Sequence, residues 1–363
     1  MNKKYNILIC PLEWGLGHAG RMIPLASRLH DMGHNILIGA GEKHLSFFRN
    51  EVPGLTLINF PGFNPVYSRF LPQYIVLLFR IPALICHIIR EHSGLKKIIR
   101  DYSIDIVISD NRFGLWNKNI RTVYVTHMPL IPFPRAFAFL EFTGVLLHRA
   151  VIRRYSLCFI PDLPGSVNIS GRLAHTGRLP GNTRFIGILS RFMDLSSSGS
   201  EDHSSFRHNT VIISGPSPQS EILRKKLTDI FIDMEPPTII LGGKPGIKQD
   251  ELRSGNIIYY NHLPSSAMMQ VIKGSDHLVA RAGYTTIMEL ISLNCSALLI
   301  PTPGQTEQEY LVRYLTEKGW FTSISQKKIS DYLPLSPPVP QWSGEIISMS
   351  RTLLGKALEE MLE

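Results

Sequence analysis

Cysteine is scarce and unpaired in this chain. Cys10, Cys86, Cys158 and Cys295 are the four cysteines among 363 residues, and they form no CxxC pair and no Cys/His cluster of zinc spacing. That excludes a disulfide framework and predicts reduced core thiols in a reducing compartment. No D-x-D pair stands on a candidate loop, so no metal is needed to explain a site. Charged residues make up only 18% of the chain against 44% hydrophobic, which excludes a disordered protein. Acidic residues are the minority, 29 against 38 basic ones, for a net charge of +9. Such a balance favours an anionic partner: nucleic acid, an acidic membrane surface or phosphorylated substrates. No nucleic-acid motif with interleaved aromatics accompanies it, so no nucleic-acid partner is expected. The apolar run near the N-terminus, "YNILIC", is too short for a signal peptide, and the expected location is the cytoplasm.

What is present is alternation. A chain of 363 residues exceeds one ordinary core and predicts two domains. Candidate strands at Tyr5–Cys10, Asn35–Gly39, Leu55–Asn59, Ile104–Ser109, Thr122–Val125, Ser156–Ile160 and Phe185–Leu189 alternate with helical patterns. Such βαβ units predict a mostly parallel sheet. From Asp194 the stretch "DLSSSGSEDHSSFRHN" is small and polar and reads as a linker. A second series follows, with strands at Thr210–Ile213, Thr238–Leu241, Ile257–Tyr260, His277–Ala280 and Ala297–Ile300. The expected layout is an acceptor-side domain over 1–193, a linker over 194–209 and a donor domain over 210–340. A final segment over 341–363 carries a helix, Glu345–Leu362, that crosses back onto the first domain. Ligands of doubly wound sheets bind at the carboxyl ends of the strands, which places the site in the cleft between domains.

Two segments carry candidate chemistry. The first strand runs into "EWGLGHAGR", where Gly15 and Gly17 precede His18 at the mouth of a helix. In the second half, "ARAGYTTIMELISLNCSALLIPTPGQTEQEY" begins at Ala280. There a strand delivers Arg281 and Gly283 to a helix whose first turn holds Thr285 and Thr286. Free amides, the helix dipole and two hydroxyls make an anion site there. Glu289, one turn later, is placed to accept from the vicinal hydroxyls of a ribose. His18 titrates near neutrality and suits a general base; Asp110 in "ISDNRFG" and Glu13 are its rivals. Asn111, Arg112, Thr126 and His127 follow strands and are weaker candidates.

At these residues the chain resembles the MurG-type glycosyltransferases, glycosyltransferase family 28, which have the GT-B architecture of two Rossmann-like domains. The resemblance implies that Ser214, Gly215, Arg281, Gly283, Thr285 and Thr286 face the donor diphosphate. It further implies Glu289 on the ribose, His262 and Leu263 of "NHLP" on the base, and Glu307 and Gln308 on the donor sugar. His18 and Asp110 would be catalytic, with Gly15, Gly17 and Arg21 forming the acceptor-side loop. Arg21 stands where the family's G-G-H-x-x-P loop has proline. The G-x-G-H-x-x-R form looks more like related nucleotide-sugar enzymes, including the PseG hydrolases, so hydrolysis or epimerisation is the alternative.

Two apolar and basic stretches, "RFLPQYIVLLFRIPALICHIIREHSGLKKIIR" from Arg69 and "MPLIPFPRAFAFLEFTGVLLHRAVIRRY" from Met128, fall in the acceptor-side half. Each reads either as a buried helix with a basic outer face or as an interfacial membrane surface. Neither is a clean span of about 20 apolar residues. The resulting expectation is a hexosyltransferase that moves a sugar such as N-acetylglucosamine from a UDP-sugar to a lipid-linked or cell-envelope glycan acceptor. It would be inverting and metal-independent, need no cofactor, and lie peripherally on an anionic membrane surface at the inner face of the cytoplasmic membrane.

Overall fold

The computed structural model describes residues 3–64, 73–195, 206–215, 217–244, 251–331, 342 and 344–363. Seven parallel strands form the first sheet: β1 (Asn6–Cys10), β2 (Asn35–Ala40), β3 (Thr56–Asn59), β4 (Ile106–Asp110), β5 (Arg121–Val125), β6 (Leu157–Ile160) and β7 (Thr183–Phe185), in the order 3-2-1-4-5-6-7. The second sheet has β8 (His208–Ile212), β9 (Thr238–Leu241), β10 (Leu252–Ser254), β11 (Ile257–Tyr260), β12 (Ser275–Arg281), β13 (Leu298–Ile300) and β14 (Thr322–Ser323), in the order 10-11-9-8-12-13-14. Only β10 runs antiparallel to its neighbour. Strand order reverses beside β1 in one sheet and β8 in the other, and each switch point opens a crevice at the strands' carboxyl ends. This is the GT-B architecture.

Side-chain alternation sorts the core. In the first sheet Ile7, Ile9, Ile106, Ile108, Val123 and Val125 point to one face, where helices α1 (Leu16–Asp31) and α2 (Glu42–Glu51) lie. Leu8, Cys10 and Val107 point to the other, under the 30-residue helix α3 (Gln73–Tyr102). Tyr124 and Cys158 continue that second face under α4 (Glu141–Ile152). The second sheet buries Val211, Ile213, Ile240 and Val279 against α5 (Gln219–Phe231). Its opposite face carries α6 (Ser265–Lys273) and α7 (Tyr284–Ser292). One apolar cluster runs without a break from Ile9 through Leu189 and Phe192 to Ile287 and Leu290, so the first domain's inner face and the second's form a continuous core. Helix α8 (Thr306–Glu317) follows β13.

Most strands lie within two residues of their predicted bounds. The predicted strand Phe185–Leu189 does not form: pairing stops at Phe185, and Ile186–Leu189 pass buried beneath α9 (Glu345–Leu362). β10 and β14, short edge strands with little apolar content, were not predicted. The second series starts at His208 rather than Thr210, and the rest of the predicted linker lies largely outside the described residues. α9 reaches the first domain. Tyr5 Oη donates to Leu362 O at 2.9 Å, Arg121 donates to Met361 O at 2.6 Å, and Arg184 pairs with Glu360 at 2.7 Å.

The crossing under α9 needs a glycine. Gly187 has φ +73°, and a Cβ there would stand 2.3 Å from Ser350 Cα, while Ile188 N donates to Ser350 Oγ at 3.0 Å. Gly187→Ala is expected to cost about 2–4 kcal/mol of stability, read from the urea midpoint. An unchanged midpoint would mean that α9 yields without loss.

Candidate active site

The turn "GLGHAGR" resolves into two interleaved pairs spaced i, i+3 on α1. Residues at that spacing share a helix face. Gly17 and Gly20 form one face and let α7 of the second domain approach. A Cβ at Gly17 would lie 3.2 Å from Thr285 Oγ1, one at Gly20 would lie 3.7 Å from Glu289 Oε1, and Thr285 Oγ1 donates to Gly17 O at 3.0 Å. His18 and Arg21 form the other face and turn to Asp110, the last residue of β4. His18 Nδ1 lies 2.9 Å from Asp110 Oδ2, Arg21 Nε donates to the same oxygen at 3.0 Å, and Arg21 Nη2 donates to Oδ1. Gly15 caps the helix with φ 157° and ψ 163°, a backbone region essentially reserved to glycine.

Electrostatics assign the protons in this group. Burial alone would raise the Asp110 carboxyl; Arg21 and then His18 outweigh it and bring it down to about 2. An ionised carboxylate only accepts, so His18 Nδ1 carries the hydrogen and Nε2 keeps its lone pair. Burial, then Arg21, holds His18 below its ordinary value, so the ring is neutral near pH 7. Asp110 is 0% exposed and fully engaged, which fits an orienting partner and not a proton acceptor from substrate. The rival Glu13 faces elsewhere: it accepts from Gly41 N, the residue that precedes α2.

Between the domains lies a cavity of about 80 Å³ lined by Gly17, Phe47, Arg191, Ser214, His262, Leu263, Thr285, Thr286 and Glu289 among others. The structure thus brings together the residues expected on phosphate, ribose and base. Small-molecule sites enclose about 300–1,000 Å³, so a nucleotide requires the walls to part. Gly215 has φ +97° in the turn after Ser214. Gly283 precedes α7, whose first turn presents Thr285 and Thr286. Glu289 is 5% exposed; burial raises its carboxyl, and Arg191 partly offsets that by donating from Nε at 2.8 Å. Arg191 also lies 3.8 Å from Glu51 of α2, whose carboxylate accepts from Ser265 Oγ. His262 Nε2 is 3.6 Å from Glu51, and its ring meets Phe47 edge-on at 5.5 Å.

Several expected residues lie elsewhere. Arg281 is 1% exposed and does not line the cavity; its guanidinium donates to Pro301 O at 3.1 Å and Gln219 O at 2.9 Å, and burial lowers it to about 10. It braces the loops behind the site, and Arg191 is the guanidinium that lines the cavity. Gln308 Oε1 accepts from Thr302 N at 2.8 Å and closes the turn into α8. Glu307 accepts from His127 Nε2 at 2.8 Å across the domain boundary. In the "SDNR" turn Arg112 is a structural residue. Arg112, 2% exposed, pairs with Glu91 of α3 at 2.8 Å and donates to Gly39 O, Phe60 O and Pro61 O, while Ser109 Oγ donates to Arg112 O. Glu51 and Arg191 escaped the sequence reading because neither sits in a glycine-rich turn. Among the described residues no group of three or more His, Cys, Asp or Glu is arranged to hold a metal ion.

The two apolar-basic stretches keep their inner faces in the core and leave apolar side chains outside. Phe79 is 78% and Ile89 61% exposed on α3, and Phe139 is 73%, Phe142 68% and Leu147 66% exposed on and before α4. Exposed Arg90, Lys96, Lys97, Arg153 and Arg154 accompany them. Among the described residues no helix is long and apolar enough to cross a membrane.

Residues 242–334 match the glycosyltransferase family 28 C-terminal domain. A protein of Methanosarcina acetivorans named as an uncharacterized glycosyltransferase is 25% identical over 347 residues, covering 89% of this chain and 86% of the relative. Among solved structures, the glycotransferase of kitacinnamycin aligns with a TM-score of 0.63 at 15% identity, covering 99% of this chain and 100% of that one. The Streptomyces sp. SF2575 glycosyltransferase SsfS6, complexed with thymidine diphosphate, aligns at 0.52 and 13% identity over 98% of this chain and 96% of its own. These structural likenesses carry the fold. With the family 28 match and the archaeal relative, they make this chain a glycosyltransferase of GT-B architecture. The family 28 match falls on the second domain, which supplies Gly243, His262, Thr285, Thr286 and Glu289 to the cavity.

Arg112→Met would leave Glu91, 4% exposed, without its guanidinium. The expected cost is about 3–5 kcal/mol, read from the urea midpoint. A folded variant of unchanged stability, defective only in acceptor use, would return "SDNR" to the substrate site.

Proposed function

We propose that the protein transfers a hexose from a nucleotide diphosphate sugar to an acceptor hydroxyl in a single inverting displacement, with His18 as the base. The observation that carries this reading is the His18–Asp110 pair at the head of α1, one helix face away from the Gly17–Thr285 contact with the donor domain. His18 Nε2 takes the acceptor proton, and Asp110 stabilises the imidazolium that results. The acceptor oxygen forms its bond to the anomeric carbon as the bond to the diphosphate breaks. The leaving diphosphate meets the N-terminus of α7 and Arg191, and holding both substrates in one cleft supplies much of the rate. Glu289 receives the ribose hydroxyls, Leu263 and His262 flank the base, and Glu307 with Gln308 stand nearest the sugar.

The donor is a UDP-sugar such as UDP-N-acetylglucosamine, and the acceptor is lipid-linked or a cell-envelope glycan precursor, as in MurG-like enzymes. The exposed apolar side chains of α3 and α4 with their basic neighbours support this acceptor class, since such helices lie in the headgroup region of an anionic membrane. The protein then works at the inner face of the cytoplasmic membrane.

Nucleotide release from a panel of UDP- and TDP-sugars, with and without a membrane lipid extract, tests the reading. Lipid-dependent release is expected; equal release without any acceptor would favour hydrolysis and overturn transfer. Because His18 is held below its ordinary value of 6.5, the acid limb of kcat/KM is expected below that pH, with activity lost as pH falls and the ring protonates. His18→Gln should lower kcat by about 10²–10⁴-fold. Glu289→Ala should abolish calorimetric binding of the free nucleotide, and unchanged binding would remove Glu289 from the ribose site.

A further inference from the structure

The group around Asp110 does not end at Arg21. Arg21 Nη1 lies 2.9 Å from His127 Nδ1, and His127 Nε2 lies 2.8 Å from Glu307 Oε1 on the first turn of α8. A guanidinium only donates, so His127 Nδ1 holds a lone pair, and Nε2 carries the hydrogen given to Glu307. Every link therefore has one direction. His18 and Arg21 donate to Asp110, Arg21 donates to His127, and His127 donates to Glu307. The His127 ring cannot turn to break this order. It is buried and stacked on Tyr284 of α7 at 4.2 Å and 12°, and Tyr284 is itself tied to Pro161 O at 2.8 Å.

We infer that His127 is a positioning residue that, through Arg21 and Asp110, ties the basicity of His18 to contact with Glu307 of the donor domain. Closure of the cleft and readiness of the base are then one event. The inference rests on the reading of His18 as the base. It is specific to this loop, because the link starts from Arg21.

The charges give the sign. Arg21 of α1, Asp110 of β4, His44 of α2, His127 after β5 and Glu307 of α8 face His18. Arg21 opposes protonation of His18, Asp110 favours it, and any charge on His127 opposes it, the smallest of the three, so the effect of His127 on the base runs through the contacts it holds and not through its own charge. Burial alone would raise the Glu307 carboxyl; His127, then His18 and Arg21, outweigh it and hold it low. The coupling is reciprocal, so an ionised Glu307 held in place makes His18 a stronger base. When the domains part, Glu307 leaves with α8, and the charge of Arg21 is balanced by Asp110 alone.

The test uses the full chain and begins without substrate. The His18 imidazole is titrated by NMR in the wild type, His127→Phe, Glu307→Gln and the double variant, with His18→Gln to assign the signal. Phenylalanine keeps a ring on Tyr284 and removes both hydrogen bonds. The His18 midpoint is expected to fall by about 0.5–1 unit in each single variant and no further in the double. An unchanged midpoint, additive shifts, or a rise on removing His127 would overturn the inference. Should His127→Phe fail to fold, Glu307→Gln carries the same titration. With donor and acceptor, kcat is expected to fall about tenfold in His127→Phe while the donor KM stays within about threefold, and His127→Gln, which can still donate to Glu307, should recover part of it. A docking contact alone would raise KM and leave kcat and its pH profile unmoved. If the wild type transfers no sugar, the transferase reading fails, while the titration still decides the coupling.

Discussion

Asp110 is the point on which the interface is built. A carboxylate with no exposure to water must have its charge met on the spot, and here a guanidinium and an imidazole meet it from adjacent turns of one helix. That requirement fixes the rotation of α1 about its own axis. With His18 and Arg21 committed to Asp110, the face holding Gly17 and Gly20 is left to meet the second domain. A methyl at Gly17 would crowd Thr285, whose hydroxyl already donates to Gly17 O, while one at Gly20 would make ordinary contact with Glu289. The glycines of the turn thus serve domain approach as much as ligand approach.

The rest of the cleft follows from bringing the helix-covered inner faces of two sheets together over one core. Because the apolar cluster runs from one domain to the other, the polar groups at the boundary are enclosed, and several find partners across it. Thr285 meets Gly17, Glu307 meets His127, Ser265 meets Glu51, and Arg191 from the connecting segment meets Glu289. These contacts occupy the groups a nucleotide sugar would use. On the proposed function, substrate would enter by exchanging partners, a trade that keeps polar groups satisfied before and after binding.

Periodicity and glycine placement made the fold legible in the sequence: the parallel strands alternate with amphipathic helices, and β1, β9, β11 and β13 lie close to their predicted limits. Where local pattern and tertiary pairing diverge, the reading failed. Ile186–Leu189 has the composition of a strand, but after the amides of Ile186 and Gly187 donate to Ile160 O and Asp162 O the chain turns at Gly187 and leaves the sheet, and β10 and β14 pair without that composition. At the site, Thr285, Thr286 and Glu289, expected from a strand-to-helix turn, line the cavity, and His18, expected from another, pairs with Asp110 at the head of α1. A motif cannot say which way a long side chain turns. Arg281 and Gln308 sit in the expected motif and spend their polar atoms on backbone, while Arg191, outside any motif, lines the cavity, and Glu51 stands behind it. Arg112 looked available because it follows a strand, and its partner Glu91 is too far along the chain for spacing to reveal.

The outermost strands β3, β7, β10 and β14 are four, three, three and two residues long. Edges that short offer little ladder for another chain to extend, and β10 adds the Arg253–Glu251 pair beside its pairing groups. The sticky surface of this protein is instead helical and sits on one face of one domain. Crowded together in water without a lipid surface, its molecules would cluster through side chains on α3 and α4 and not through backbone pairing. Such clusters lack the cross-strand register that makes aggregates irreversible, and a mild detergent would disperse them with both sheets intact.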